Sequence, residues 1–461
     1  MRKIVKVLGM VAGMAATPFG AGAETLADAM VSAYKTSHLL DQNQAVLRAA
    51  DEDAAIAMAN LRPVISFVAQ TGWRKYNNDT ATSSLPTTHF ETTSTTLSMT
   101  GEIVIWAGGR GRLAADAARE SVLATRSALV SVEQEVLLAA VSAYVKLGLA
   151  QEIVALRESN VRVITRELRA AKDRFDVGEI TQTDVSQAEA ALAAAQANLA
   201  SAQGDLMIAR EAYKAAIGHY PDRLAGLPKT PSVPKSLEEA KSVAGRGHPG
   251  ISQVQHQVKA AELGVQIAKA GLGPTVAGEI GVITDTDSGI SYGSVGLSMS
   301  QTVYAGGGKS ATYRQALANK DAAAAGLLQT TVSVEQGVGQ AWAGLVVANA
   351  SIAATRQQIA AAQKAFDGVK EEANLGARTT LDVLNAEQDL LTARASRLEA
   401  EASRYIGVYS LLSTMGLLTA DHLKLGVPTY DPEAYYNAVK NAPAMSAQGK
   451  ALDRIMKTIG N

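Results

Sequence analysis

Two groups of residues in this chain have the types and spacing from which chemistry is usually built. Gly306, Gly307 and Gly308 precede Lys309 and Ser310, a glycine-rich turn of the kind that cradles phosphate. P-loop spacing is missing, however, and the GGRGR run at 108–112 keeps the glycines without the motif. Both runs read as turns opening a basic helix start. The six histidines stand at 38, 89, 219, 248, 256 and 422, and only His248 and His256 are near neighbours. A helical spacing of eight without further ligands does not make a metal pair. No local nucleophile–base arrangement stands out, and the absence of cysteine excludes thiolate ligands, a disulfide scaffold and a lipidated N-terminal cysteine. The sequence therefore assigns no catalytic residue, cofactor site or metal site, and an enzyme is the least favoured reading.

What remains is a repeated constellation of glycine, threonine and aspartate. Gly178, Thr181 and Asp184 recur as Gly376, Thr379 and Asp382 at a constant separation of 198, and Ala188, Glu189 and Leu192 recur as Ala386, Glu387 and Leu390. Glycine permits the left-handed turn that ends a helix. Threonine caps the next helix, and the aspartate three residues later places negative charge in its positive first turn. Local chemistry thus predicts two helix hairpin caps.

The same separation of 198 carries Trp106, Gly108 and Gly109 of VIWAGG onto Tyr304, Gly306 and Gly307 of TVYAGG. Pro63 answers Pro274 at 211, so the first copy holds 13 extra residues, which fit the polar tract between the proline and AGG. Two motifs in one register mean an internal duplication. Each copy is predicted to run helix, proline, two strands, glycine turn and a long helical hairpin. Helices are expected over 25–60 and 248–270, and strands near 64–74 with 93–106 and 275–284 with 291–304. Helical tracts follow from about 113 to 176 and 182 to 217, and from about 311 to 375 and 380 to 417. The four prolines at 221, 228, 231 and 234 make residues 219–247 a connector, and residues 423–461 read as a peripheral tail.

In SYGSVGLSMSQTV, Val295, Leu297 and Met299 alternate with small polar residues. Such a strand belongs either to a sheet with one solvent face or to a barrel wall with lipid outside and water inside. MRKIVK, an apolar segment and AGAE predict a secretory signal over 1–23, with an N-terminal anchor as the alternative. Without it the chain carries 40 basic and 44 acidic residues, a net charge of −4, and no basic block, which argues against nucleic acid as a partner. No later apolar run is expected to span a membrane as a helix, so a crossing is expected to use strands. Only 5% of residues are aromatic, and Ala-, Leu- and Val-rich tracts suit close helix packing over a thick globular core.

The two motifs FDVGEITQTDVSQAEA and ANLGARTTLDVLNAEQDL, with the two-fold repeat, the paired strands, the connector and the signal segment, resemble the TolC-like outer membrane efflux proteins. The resemblance implies a mixed α/β homotrimer: a 12-stranded outer membrane β-barrel, four strands from each subunit, continued by a long periplasmic α-helical coiled-coil barrel. It implies a first repeat over 24–218, a connector over 219–247 and a second repeat over 248–422. It also implies passive export of small molecules or protein, in efflux or type I secretion, with a periplasmic adaptor, an inner membrane transporter and outer membrane lipids as partners. Arg378 matches the family's entrance restraint, and Thr183 with Asp184 match its partner region on a neighbouring hairpin. Asp382 matches one of two acidic constriction positions, the other being Asn385 here, and Ala373 stands where an aromatic residue is common. The alternative reading is a periplasmic coiled-coil adaptor or tether.

Overall fold

The computed structural model describes residues 23–77, 89–221, 223–428, 430–441 and 454. The expected signal segment up to residue 22, residues 78–88 of the first strand loop and most of the tail beyond 441 lie outside the described residues. In chain order the elements are α1 (Leu26–Thr36), α2 (His38–Ala59), β1 (Val64–Asn77), β2 (His89–Trp106), α3 (Arg110–Asp176) and α4 (Gln182–Ile217). Then follow α5 (Leu237–Gly247), α6 (Pro249–Ala270), β3 (Thr275–Asp285), β4 (Ser291–Ser300), α7 (Gly308–Asn374), α8 (Thr380–Thr414) and α9 (Pro432–Val439).

Three expectations need correction. The helix expected over 25–60 breaks at Ser37, whose extended backbone and side-chain oxygen, accepting from the Leu40 amide at 3.3 Å, cap α2. β4 stops at Ser300 and not at 304, because Ser300 pairs with Thr275, and the residue before Thr275 is Pro274, which has no N–H to extend the ladder. α3 and α7 each contain a stretch long and apolar enough, by length and composition, to cross a membrane, contrary to the expectation that none would. In α3 many of the apolar side chains are packed inside protein: Leu137, Ala140, Val141, Tyr144 and Leu147 are all buried.

The chain forms two compact units, each drawing on both sequence repeats. One contains residues 34–139, 231–358 and 399 onward, and holds the antiparallel sheet in the order β1-β2-β3-β4. The register sorts its side chains into two faces. Ile65 and Phe67 pair with Gly101 and Met99, these pair with Ile280 and Val282, and Ile280 pairs with Val295, giving one face of apolar side chains and glycine. The other carries Ser66, Thr100, Gly281 and Ser294 in one cross-strand row and Val64, Glu102, Glu279 and Gly296 in the next. The apolar face is bare: Ile65 is 74% and Val295 85% exposed. Beside the sheet, Leu47 and Ala54 of α2 pack on Val122 of α3, and Tyr430 and Tyr436 pack against this cluster.

The second unit contains residues 23–33, 140–230 and 359–398, and so both helix reversals. Its buried α4 residues Val185, Ala188, Ala195 and Ala202 follow the seven-residue recurrence of a coiled-coil seam. Alanine at these positions lets Ile164 and Ala171 of α3 and Leu384 of α8 close on α4. Far from the reversals in sequence, the Tyr144 hydroxyl lies 2.8 Å from the Glu24 carbonyl and 2.7 Å from that of Ala225, joining the segment before α1 to the connector.

Candidate functional site

The reversals are built from backbone requirements. α3 ends in a Schellman turn: the Gly178 amide donates to Phe175 and the Glu179 amide to Arg174, with Gly178 at φ +79°. The copy repeats it, with Gly376 donating to Ala373, Ala377 to Glu372, and φ +78° at Gly376. Each following helix opens with a reciprocal cap. Asp184 Oδ2 accepts from the Thr181 amide at 3.0 Å and its hydroxyl at 2.7 Å, while Thr181 Oγ1 accepts from the Asp184 amide. Asp382 and Thr379 make the same bonds at 3.0, 2.8 and 3.2 Å. These hydrogen bonds from Thr181 and Thr379 hold both carboxyls below the usual carboxylate range.

The predicted residues are therefore only partly brought together. Arg378 Nε donates to Glu372 Oε2 at 2.8 Å, inside its own hairpin, and both side chains are about half exposed. Thr183 and Asn385 are exposed, and Asn385 stands three residues after Asp382 on α8. Within the chain Arg378 thus pairs with Glu372 rather than with Thr183 or Asp184. The other predicted glycines sit at strand-to-helix turns with φ of +60°, +80°, +57° and +82° at Gly108, Gly109, Gly306 and Gly307.

Sequence reasoning missed the contacts that tie the two hairpins. An Arg174 guanidinium nitrogen donates to the Ala373 carbonyl at 2.7 Å, so the last turn of α3 holds the last turn of α7. One turn or so further back, Lys370 Nζ meets Glu167 at 2.7 Å, and the Asn160 amide donates to the buried Glu387 carboxyl at 3.4 Å. Burial pushes the Glu387 carboxyl above its ordinary value. The repeat register did contain a signal. Lys172 and Glu189 pair at 2.8 Å within the first hairpin, and their copies are Lys370 and Glu387. In the second hairpin that pair is exchanged, with Lys370 reaching across to α3 and Glu387 turned inward.

A family model described as outer membrane efflux protein matches residues 30–219 and 242–417. The chain belongs to the outer membrane efflux protein family. It is similar to the outer membrane efflux protein BepC of Brucella suis biovar 1, at 36% identity over 446 residues, which covers 95% of this chain and 96% of that one. It is also similar to the outer membrane protein TolC of Escherichia coli K12, 27% identical over 312 residues and 63% of each chain. The crystal structure of VceC from Vibrio cholerae shares its fold, with a TM-score of 0.74 and 22% identity over 85% of this chain and 96% of that one. The family is one of outer membrane channel proteins, not of enzymes. This outer membrane efflux protein therefore lies in the outer membrane and continues into the periplasm as helices. Its fold class is the one read from the sequence, the trimeric barrel and helical tunnel of its structural neighbours. In that setting the apolar sheet face meets lipid and the Ser-, Thr- and Glu-bearing face meets water.

Proposed function

We propose that three copies of this chain form a passive efflux duct whose periplasmic entrance is the ring of helix reversals. The observation that carries this reading is the open four-stranded sheet with one apolar and one polar face, whose outer strands β1 and β4 each have a single neighbour. Such a sheet is tolerated in lipid only when its edges are paired, and three copies give a closed barrel of twelve. Each repeat contributes two strands and one hairpin. Exposed Leu328, Val332, Val346 and Val347 on α7 supply apolar surface for subunit contact. A tether that packed its sheet against its own body would not leave that apolar face bare.

At the entrance, Asp382 and Asn385 line the constriction, and threefold repetition of Asp382 favours cations. The half-exposed Arg378–Glu372 pair is held weakly, as surface ion pairs are. Arg378 exchanges it for Thr183 and Asp184 of a neighbouring hairpin in the closed state, and displacement of the hairpins widens the aperture. A periplasmic adaptor and an inner membrane transporter supply the opening and the energy, because this chain has no nucleotide-hydrolysis motif of its own. We read the use of this duct as efflux, in keeping with the similarity to BepC, an outer membrane efflux protein. Planar-bilayer recording of the purified trimer tests the reading: Arg378→Ala with Asp184→Ala is expected to raise single-channel conductance several-fold. Equal conductance in a correctly inserted trimer overturns the restraint, and no conductance from the unaltered trimer overturns the duct.

A further inference from the structure

Where the sheet meets the helices, an open cleft of ≈ 570 Å³ lies among the end of α2, the end of β2, the first turns of α3 and Ile267 of α6. Its lining combines apolar Leu61, Ile105 and Trp106 with the two cations Arg110 and Arg112. The composition of the apolar part follows from a β-bulge. Pairing slips between Val104 and Trp106, so Trp106 stands opposite Val276 and joins the lipid-facing row that strict alternation would have denied it. Ile105 leans the same way, its Cδ1 3.1 Å from where a Cβ on Gly278 would lie. The helical side is also specified. A Cβ at Gly111 would stand 2.6 Å from Leu61 Cδ2, so a larger residue there would oblige the Leu61 side chain, just beyond α2, to move.

We infer that this cleft is a binding site for one anionic glycerophospholipid per subunit, with an acyl chain along Ile105 and Trp106 and its phosphate on Arg110 and Arg112. The charge is complementary: both arginines are exposed, and among the described residues neither makes a salt bridge. Arginine presents a planar fork that matches phosphate oxygens. The position is right for a headgroup, since tryptophan marks the membrane–water interface and the arginines follow it by one helical turn into the periplasmic layer. Barrel closure engages β1 and β4, whereas the cleft opens beside the inner strand β2.

Native mass spectrometry of the detergent-purified trimer, titrated with phosphatidylglycerol or with phosphatidylcholine of the same chains, tests this. The unaltered trimer should retain up to one phosphatidylglycerol per subunit, at least tenfold more tightly than phosphatidylcholine. Arg110→Gln with Arg112→Gln should abolish that preference, and the double lysine variant should restore part of it. Placement is read separately in a Trp73→Phe, Trp342→Phe background, where Trp106 is the sole tryptophan. Its fluorescence should be quenched more by brominated phosphatidylglycerol than by brominated phosphatidylcholine. Equal retention of the two lipids by the unaltered trimer, or undiminished preference in the glutamine variant, overturns the site. Single-channel recording of the same preparations keeps that outcome distinct from failure of the duct itself.

Discussion

Glu102 of β2 and Glu279 of β3 stand directly opposite one another in the antiparallel ladder, both exposed on the polar face of the sheet. Like charges in that position destabilise a pair of strands, and only a wet, high-dielectric face makes the arrangement tolerable. Three copies of the sheet place six carboxylates at one level of the lumen. Glu102→Gln with Glu279→Gln is expected to lower the cation-over-anion permeability ratio several-fold, read from reversal potentials across a KCl gradient. An unchanged ratio would remove these residues from the conduction path.

Arg174 is the second entrance position to test. Its hydrogen bond to the Ala373 carbonyl joins residues 199 apart and is made to the main chain, so no substitution of Ala373 other than one that shifts the backbone abolishes it. Arg174→Gln should cost about 1.5 kcal/mol, as loss of a charge-assisted hydrogen bond does. It should also raise channel conductance with Arg378 intact, while Arg174→Lys should fall between the two. Thermal unfolding followed by circular dichroism measures the first effect and bilayer recording the second.

How much of this was legible beforehand depended on whether it was encoded locally. The 198-residue register located the turns at Gly178 and Gly376 and the caps at Thr181 and Thr379, because backbone conformation and capping are decided within a few residues. Proline at 63 and 274 similarly announced the strands. The partner of Arg174 was not legible, since a carbonyl acceptor leaves no mark on residue type. Nor was the exchange at Lys370 and Glu387, where two copies of the same pair find different neighbours only after α3 and α7 pack. The bulge at Val104 and Trp106 escaped for a related reason: it is a property of pairing with β3, and the unbroken apolar run from Ile103 to Trp106 does not say which residue is the extra one.

The caps make a stability prediction with a definite pH dependence. Thr181→Ala and Thr379→Ala should each cost about 1 kcal/mol, and the serine variants much less. Because Asp184 and Asp382 are held below their ordinary values, their contribution is present above the unfolded carboxylate range and is lost as pH falls through the folded values. Hydrogen exchange over residues 176–190 and 374–390, measured at pH 7 and again under acid, should show the reversals losing protection first in the threonine variants.

Asp51 should behave in the opposite sense. It is fully buried on α2 with no hydrogen-bond partner on either carboxylate oxygen among the described residues. Burial pushes its carboxyl up to about 6, while the Arg126 guanidinium pulls the other way. A raised folded value means that the fold prefers the protonated acid, so stability is greatest below the unfolded range near 3.8 and declines as pH climbs towards about 6. Above that window the protein carries a buried carboxylate whose main relief is Arg126, and that arginine is shared with Glu433 at 3.4 Å and the Tyr436 ring at 5.3 Å. Asp51→Asn keeps the shape and removes the charge. It should stabilise the region around α2 and α9 by up to about 3 kcal/mol at pH 8 and by almost nothing at pH 4. Arg126 keeps two partners in this variant, so it is not left bare. Thermal denaturation of both proteins across pH 4 to 8 decides the matter: two curves separated by a constant offset would mean that the carboxyl does not titrate in this window.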